Sequence, residues 1–515
     1  DGVQRFSARR AIGAATTVAL VLLAASFAPS CNDGSGLLRA KIIEHRSERI
    51  GGPGAMADVG DYLLENEEIR VAILGPINSP GPAPYGGSLV DADRRRPWIG
   101  NEGGNGLDRF VEAFPMANLL VPEPDDTDVF VLKDGSDGKE AVVRVQAEGG
   151  FFLEALGVLR AQQPLLEVFF PTVRTAVHFT TDYILRPGAK HVLMRTTLRL
   201  GDDPPAGCPL VSSCSQPCEW GYSETPDGCL SCECSERLPL DQNTGPIPVL
   251  RNMLGDPVAE PDAELRAGMA AGDFVFFGNR NDIFAPGPGF DEGYEVHTAF
   301  DAGQNTFQDP LSYDFVAATG DTVSYAYFTV ARPGEAPARV NVPLITSGTT
   351  AFITAYKNCL LDASDDSVCD RHRTFVYERY LSVGDGDVAS ALDDMYKLRG
   401  TSTGELRGHV LWQETGAPVP NAQVVVFADP EPGRNWGSVD ELVAANLAAR
   451  GDFGVVNSID ADLGLDRVED GDFRAQLPPG QYVLVAQTGD GTATSKPISL
   501  TMEAGAEEVV VPTLL

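Results

Sequence analysis

Hydrolytic chemistry at a metal needs imidazoles and carboxylates in register, as in H-x-H or H-E-x-x-H on one element. The six histidines, His45, His178, His191, His297, His372 and His409, are scattered, and none falls in such a motif. His178 and His191 are the pair that a hairpin could bring face to face, although strand histidines more often serve packing or the surface. There is no G-x-S-x-G elbow, no P-loop and no G-x-G-x-x-G after a strand. A glycosidase-type carboxylate pair stays open, because acidic residues are plentiful and their separation in space is not written in the sequence. No catalytic residue and no metal site is assigned.

The most site-like stretch is LVDADRRRPWIGNEGGNGLDRF, residues 89–110. It sets Trp98 beside Asp91, Asp93, Asn101, Glu102 and Asp108, with Arg96 and Asn105, on a glycine-rich scaffold. Sugar recognition uses this combination: ring CH groups stack on an aromatic face while carboxylates and amides take the hydroxyls. An ordered loop anchored by a buried tryptophan is the alternative. NRNDIF (279–284) is a weaker second candidate. IDADLGLDRVEDGD (459–472) has the acid density of a calcium loop, but Gly471 stands where the bidentate glutamate belongs. Acidic turns explain it better, so no cofactor is expected and Ca2+ is the ion left to consider.

The nine cysteines divide by position. Cys31 stands alone. Cys208, Cys214, Cys218, Cys229, Cys232 and Cys234 cluster, and Cys359 and Cys369 form a pair in one loop. Setting Cys31 aside leaves an even number, as a disulfide-forming exported chain needs. A zinc site is the alternative for the cluster, but Cys229-x2-Cys232-x-Cys234 brings no histidine and an oxidising compartment favours disulfides.

Thirty-nine basic against 73 acidic residues give a net charge of −34. Such a surface repels phosphate backbones, which excludes nucleic acid as a partner and suits a soluble exported protein. Over 515 residues there is room for two to four full-sized domains. Asp1 is not an initiator methionine and the last residues, EEVVVPTLL, are strand-like, so a fragment boundary at either end is an expectation.

The elements that must position these residues read as mostly β: short Val, Thr, Phe and Tyr runs between Gly and Pro. NEEIRVAIL (66–74) reads as a strand followed by the loop GPINSPGPAPYGGS. AVHFTTDYILRPGAKHVLMRTTLRL reads as a hairpin turning at Pro187-Gly188. On its return strand Val192, Met194, Thr196, Leu198 and Leu200 share a buried face, and His191, Arg195 and Arg199 a wet one. Asp387 caps a predicted helix VASALDDMYKLRG that ends at Gly400 as its C′ residue, and TSTGE follows as a linker. A second predicted helix, VDELVAANLAAR, carries a capping box of Ser438 and Glu441 inside an insertion at 430–470.

Four resemblances add to this reading. Residues 5–31, RFSARRAIGAATTVALVLLAASFAPSC, place Arg5, Arg9 and Arg10 before an apolar run that ends in small residues. That is the layout of a secretory signal, and it resembles the lipobox of bacterial lipoproteins, which implies lipidation of Cys31; a membrane-spanning anchor is the alternative. The spacing C-x3-C-x10-C-x2-C-x-C, with Gly221 and the Pro226-Asp227-Gly228-Cys229 turn, resembles the antistasin-type module. The resemblance implies inhibition of a serine protease with the reactive residue at Ser215; a disulfide-stapled surface loop is the simpler reading.

Residues 404–515 resemble the carboxypeptidase-regulatory-like, transthyretin-like β-sandwich. The residues that carry the likeness are Gly408-His-Val410, Thr415-Gly416-Ala-Pro418, Asn421-Ala422-Gln-Val424 and Leu477-Pro-Pro-Gly480-Gln-Tyr482. It implies an accessory module. IRVAIL, YGGSLVD and TDYILRPGAKHVLMRTTL loosely resemble the galactose-mutarotase-type supersandwich, which implies the fold without an activity. The module order also looks like the front of large lipoproteins that continue into a metallohydrolase of the polymerase-and-histidinol-phosphatase type.

The expectation is therefore a mostly β protein. Residues 1–31 form a signal and lipobox, 38–201 with 238–400 a supersandwich-like domain, 202–237 a cysteine-rich insertion and 404–515 a β-sandwich. The expected role is non-catalytic binding or scaffolding in the bacterial cell envelope, periplasmic or at the cell surface, anchored to the membrane by lipid. A glycan or cell-wall polymer is the expected partner, with a protease through Ser215 and a longer metallohydrolase as the alternatives.

Overall fold

The computed structural model describes residues 37–96, 106–107, 109–117, 120–124, 128–151, 177–200, 222–225, 229–234, 271–278, 281–290, 311–330, 340–342, 344–346, 349–351, 374–463 and 470–514. Short apolar runs cut by Gly, Pro and Asn give short strands. The first ten are β1 (Arg39–Ile42), β2 (Tyr62–Glu65), β3 (Ile69–Ile73), β4 (Leu89–Arg94), β5 (Glu112–Ala117), β6 (Leu120–Glu123), β7 (Val129–Asp134), β8 (Ala141–Phe151), β9 (Val177–Leu185) and β10 (His191–Leu200). A small hairpin, β11 (Tyr222–Glu224) and β12 (Leu230–Cys234), interrupts them. Then come β13 (Ala271–Phe276), β14 (Asp282–Ala285), β15 (Gly289–Phe290), β16 (Leu311–Tyr313), β17 (Phe315–Thr319), β18 (Ser324–Phe328), β19 (Val340–Val342), β20 (Leu344–Thr346), β21 (Thr349–Ala351) and β22 (Thr374–Gly384).

Sixteen of these strands form one antiparallel sheet, ordered β1-β2-β3-β4-β5-β6-β8-β9-β10-β22-β18-β17-β14-β15, with β13 beside β5 and β7 beside β8. The sheet doubles over on itself around a core that includes Ile69, Val71, Phe110, Val143, Tyr183, Val192, Tyr325 and Leu381. Tyrosines cross the fold with their hydroxyls. Tyr183 donates to the Gly87 carbonyl at 2.9 Å, Tyr325 to Ala92 at 2.9 Å and Tyr377 to Gly272 at 2.8 Å. Each ring fills the core while its hydroxyl satisfies a carbonyl that would otherwise be buried unpaired.

Residues 66–74 are not one strand. Asn66 opens a turn, its side-chain oxygen accepting the amides of Glu68 and Ile69 at 2.8 Å, and β3 starts only at Ile69. Its amide also donates to the Arg186 and Ala189 carbonyls, which pins this turn to the β9–β10 turn. The β9–β10 hairpin forms as read, with Gly188 at φ 66°. Its return strand buries Val192, Met194, Thr196 and Leu198 as expected. The other face is not uniformly wet, because His191 is only 8% exposed beneath a helix.

That helix is α1 (Val388–Leu398). Asp387 caps it, accepting the Ser390 amide, and Gly400 follows the last turn at φ 63°. Next come β23 (Gly404–His409), β24 (Leu411–Trp412), β25 (Gln423–Ala428), α2 (Val439–Arg450), β26 (Val455–Asp460), β27 (Asp472–Leu477), β28 (Gly480–Gln487), β29 (Ile498–Met502), β30 (Glu507–Val510) and β31 (Thr513–Leu514). Ser438 caps α2 through the Glu441 amide, while the Glu441 carboxylate reaches back to the Gly437 amide instead of closing the box on Ser438. Sheets β27-β23-β30 and β26-β25-β28-β29 face each other over Leu406, Val424, Phe473, Tyr482 and Leu484, a β-sandwich.

The stretch read as a linker is fixed. The Thr401 amide bonds Tyr396, Thr403 bonds the Gln476 side chain, and β23 starts at Gly404. One apolar cluster runs from Phe284, Phe315 and Phe328 of the large sheet through Val388 and Leu392 of α1 to Phe427, Val455 and Val483 of the sandwich. Gly287 and Val455 exchange backbone hydrogen bonds of 2.7 and 2.9 Å across the same seam. Burying a large apolar side chain is worth about 2 kcal/mol. Exposing Phe315, Leu392, Phe427 and Val455 alone would therefore cost roughly 8 kcal/mol, enough to hold the two β units as one. Residues Gly36–Leu515 accordingly form one compact unit.

Candidate functional site

The 89–110 loop does not present its first acids to solvent. Asp91 and Asp93 stand in β4, 0% and 2% exposed, because β3 and β5 flank that strand inside the doubled sheet. Asp93 pairs with Arg96 at 2.7 Å and accepts the Leu107 amide at 2.8 Å. Burial raises its pKa, with Arg96 and the amides acting the other way. Asp91 acts electrostatically on Arg70. Arg94 reaches Asp385 at 2.9 Å and Arg96 the Thr322 carbonyl at 2.9 Å, so the base of the loop is bolted to the opposite layer. Trp98, Asn101, Glu102 and Asp108 lie outside the described residues, as do Cys31, Cys208, Cys214, Ser215, Cys218, Cys359 and Cys369. In NRNDIF, Asn281 turns inward to the Phe277 carbonyl and Asp282 is exposed.

The two hairpin histidines do not meet. His178 sits opposite Arg199, and His191, at the other end, opposite Ser382. His191 Nδ1 instead lies 2.6 Å from Asp394 Oδ2 of α1, and that oxygen also accepts the Lys190 amide at 2.7 Å. Burial works to raise the Asp394 pKa, yet the hydrogen bond and charge of His191 with the Lys190 amide outweigh it and hold it below the ordinary range. The pair docks the helix on the hairpin.

One further charged site, Arg379 with Asp273, belongs to no motif of the sequence. Arg379 is fully buried with Asp273: Nε donates to Oδ2 at 2.6 Å, and Nη1 to Thr196 Oγ1 at 2.7 Å and Met194 O at 3.0 Å. Tyr327 completes Asp273 at 2.6 Å. Arg379 alternates with Tyr377, Leu381 and Val383 on the apolar face of β22, and that placement was the available clue. So fully satisfied a network braces strands and leaves no donor for a ligand.

At the seam, Asp387 accepts the Asp460 amide at 3.2 Å while its other oxygen caps α1. Burial, then the Asp460 charge, push its carboxyl up to about 7. Burial, and the charge of Asp282 from β14, push Asp460 up to about 6, against a hydrogen bond from Gln423.

Below this pair the seam opens into a cavity of about 290 Å³. Asp314 and Phe315 come from the large sheet, Met395, Tyr396, Arg399 and Thr401 from the end of α1, and Val456, Leu477, Pro478 and Tyr482 from the sandwich. Tyr482 donates to the Pro478 carbonyl at 2.8 Å. Arg399 Nε and Nη2 donate to the Thr329 carbonyl, and Nη2 also to Asp314 O. Nη1 approaches the Asp314 carboxylate only to 3.7 Å. Burial lowers the Arg399 pKa, against the Asp314 charge, and the guanidinium stays cationic. The cavity thus combines three aromatic rings with one donor and one acceptor not locked to each other.

Within 459–472 the fold gathers Asp462, Asp470 and Asp472, their oxygens within 4.8 Å. Asp462 Oδ1 already accepts the Asp470 and Gly471 amides at 2.9 and 2.7 Å, and Oδ2 the Asn421 amide at 2.9 Å. Its carboxylate serves the turn, the acidic-turn reading of this stretch. Among the described residues no helix is long and apolar enough to cross a membrane.

No family model matches the chain, and no curated protein matches it. Several solved structures match parts of the chain. A DUF3823 family protein from Parabacteroides merdae matches at 16% identity and a TM-score of 0.14, over 22% of this chain and 47% of that one. An alpha-mannosidase from Enterococcus faecalis matches at 12% and 0.26, over 63% and 29%. The minor pilin GBS52 of Streptococcus agalactiae matches at 12% and 0.14, over 46% and 82%. The chain spans less than half the length of the DUF3823 and mannosidase structures. What the chain has by its own geometry is a mostly β, sandwich-like architecture with a cleft at the seam of two β units.

Proposed function

We propose that the chain is an exported, non-catalytic scaffold and binding protein of the bacterial cell envelope, anchored by lipid on Cys31. The observation that carries the scaffold role is the continuous apolar cluster from Phe284 through Leu392 to Val483, which joins two β units in one compact unit. An accessory sandwich on a flexible tether would need no such cluster. The export reading is supported by the signal-like stretch 5–31 and by the cysteine parity. A neutral glycan or cell-wall polymer is the ligand class that suits a chain of net charge −34 carrying aromatic rings beside polar groups.

The test is expression of the full gene in a bacterial host, fractionation, and mass spectrometry of the mature N-terminus. An acylated Cys31 in the membrane fraction, and release to the soluble exported fraction by Cys31→Ala, is the expected result. A cytoplasmic protein with an uncut N-terminus overturns the proposal.

A further inference from the structure

We infer that the seam cavity between the large sheet, α1 and the sandwich binds one neutral pyranose ring, such as a pendant or terminal sugar of an envelope polymer. This rests on the binding role proposed above and gives it a site, distinct from the loop around Trp98. Its volume of about 290 Å³ lies at the lower limit of small-molecule pockets, room for one ring and not for a chain. Phe315, Tyr396 and Tyr482, from three separate elements, line its wall, Phe315 at 4% and Tyr482 at 8% exposure, so the wall is apolar and closely packed. The polar groups are of both kinds. Arg399 Nη1 and the Asp314 carboxylate form a loose ion pair of 3.7 Å, while the other two guanidinium nitrogens are engaged by carbonyls.

An orientated donor beside an acceptor, held slightly apart, matches two neighbouring hydroxyls, each able to give one hydrogen bond and receive another. The Arg399 charge works against a cationic ligand, and the chain's charge of −34 against an anionic one. Thr401 adds a hydroxyl at the rim. The position also has a structural logic, because residues 314–315, 395–401 and 456–482 meet only when the two β units are joined as described.

The probes are the methyl pyranosides of glucose, galactose, mannose and N-acetylglucosamine, tested on the full chain by saturation-transfer NMR and titration calorimetry. Asp314→Ala, at an exposed position, keeps the rings and the fold and removes the acceptor; the expected loss is about three- to tenfold in affinity. Thr401→Trp fills the cavity and abolishes binding, with thermal melting confirming that the variant is folded. Binding to the unmodified chain that both folded variants retain in full places the sugar elsewhere and overturns the site, leaving the glycan reading in place. No binding of any probe at millimolar concentration overturns the inference, while pull-down of the full chain on purified cell-wall polymer decides the glycan reading separately. The fractionation result decides the envelope reading independently.

Discussion

Asp387→Asn should reverse the sign of its effect on stability between acid and mildly basic pH. The Asp387 carboxyl is pushed from 3.8 up to about 7 by burial and the Asp460 charge, so the folded chain holds a proton there that the unfolded chain has released. The contribution of this carboxyl to stability is therefore greatest below about pH 4, falls as pH rises through the window to 7, and is flat above it. Three pH units at about 1.4 kcal/mol each make this loss about 4 kcal/mol. Asparagine keeps the cap on Ser390 but turns an amide nitrogen toward the Asp460 N–H, which forfeits the 3.2 Å hydrogen bond at a cost of about 1–2 kcal/mol. The variant should thus be less stable than the parent at pH 4.5 by about 1 kcal/mol and more stable at pH 8 by about 2 kcal/mol. Urea denaturation of both proteins from pH 4.5 to 8 measures this, because carboxylates elsewhere cancel in the difference. A difference curve without slope would refute the reasoning, as would one that rises in the opposite direction.

Asp460→Asn should move the titration of Asp387 to lower pH, since it deletes the neighbouring charge; NMR pH titration of the Asp387 carboxyl reads this directly. Arg379→Met should cost about 3–5 kcal/mol in urea denaturation by stranding Asp273, and adding Asp273→Leu should recover part of it. Gly408→Ala would drive a methyl group to 1.9 Å from the Val510 carbonyl, so a loss of about 1–3 kcal/mol and faster hydrogen exchange on β30 are expected. Asn66→Ala removes two hydrogen bonds that join two turns and two within its own turn, at about 1 kcal/mol each, and should lower the melting temperature without altering the seam.

Local chemistry made much of this fold legible. Pro187-Gly188, Asp387 and Ser438 act through their own backbone neighbourhoods, and each sits where a turn or cap needs it. The errors came from effects beyond the next few residues. Asn66 looked like the start of a strand because its partners Arg186 and Ala189 are 120 and 123 residues away. His191 was placed on a wet face because nothing near it announces the helix that covers it. Asp91 and Asp93 looked like ligand groups because strand text does not say that the sheet folds back over itself. The seam cavity was invisible for a simpler reason: its walls come from separate segments between Pro286 and Tyr482, and no local window holds the set.

The pairing of β10 with β22 carries a consequence for how the chain comes off the ribosome. His191–Arg199 finds its outer partner only in Thr374–Ser382, and roughly 170 residues must be made between them, which takes about 10–35 s at ordinary synthesis rates. Throughout that wait β10 exposes a long open edge, the kind that recruits foreign strands. A chain built this way gains from a companion that holds it open until β22 arrives, and pulse-chase protease protection should show residues 177–200 becoming resistant only after residue 384 has emerged.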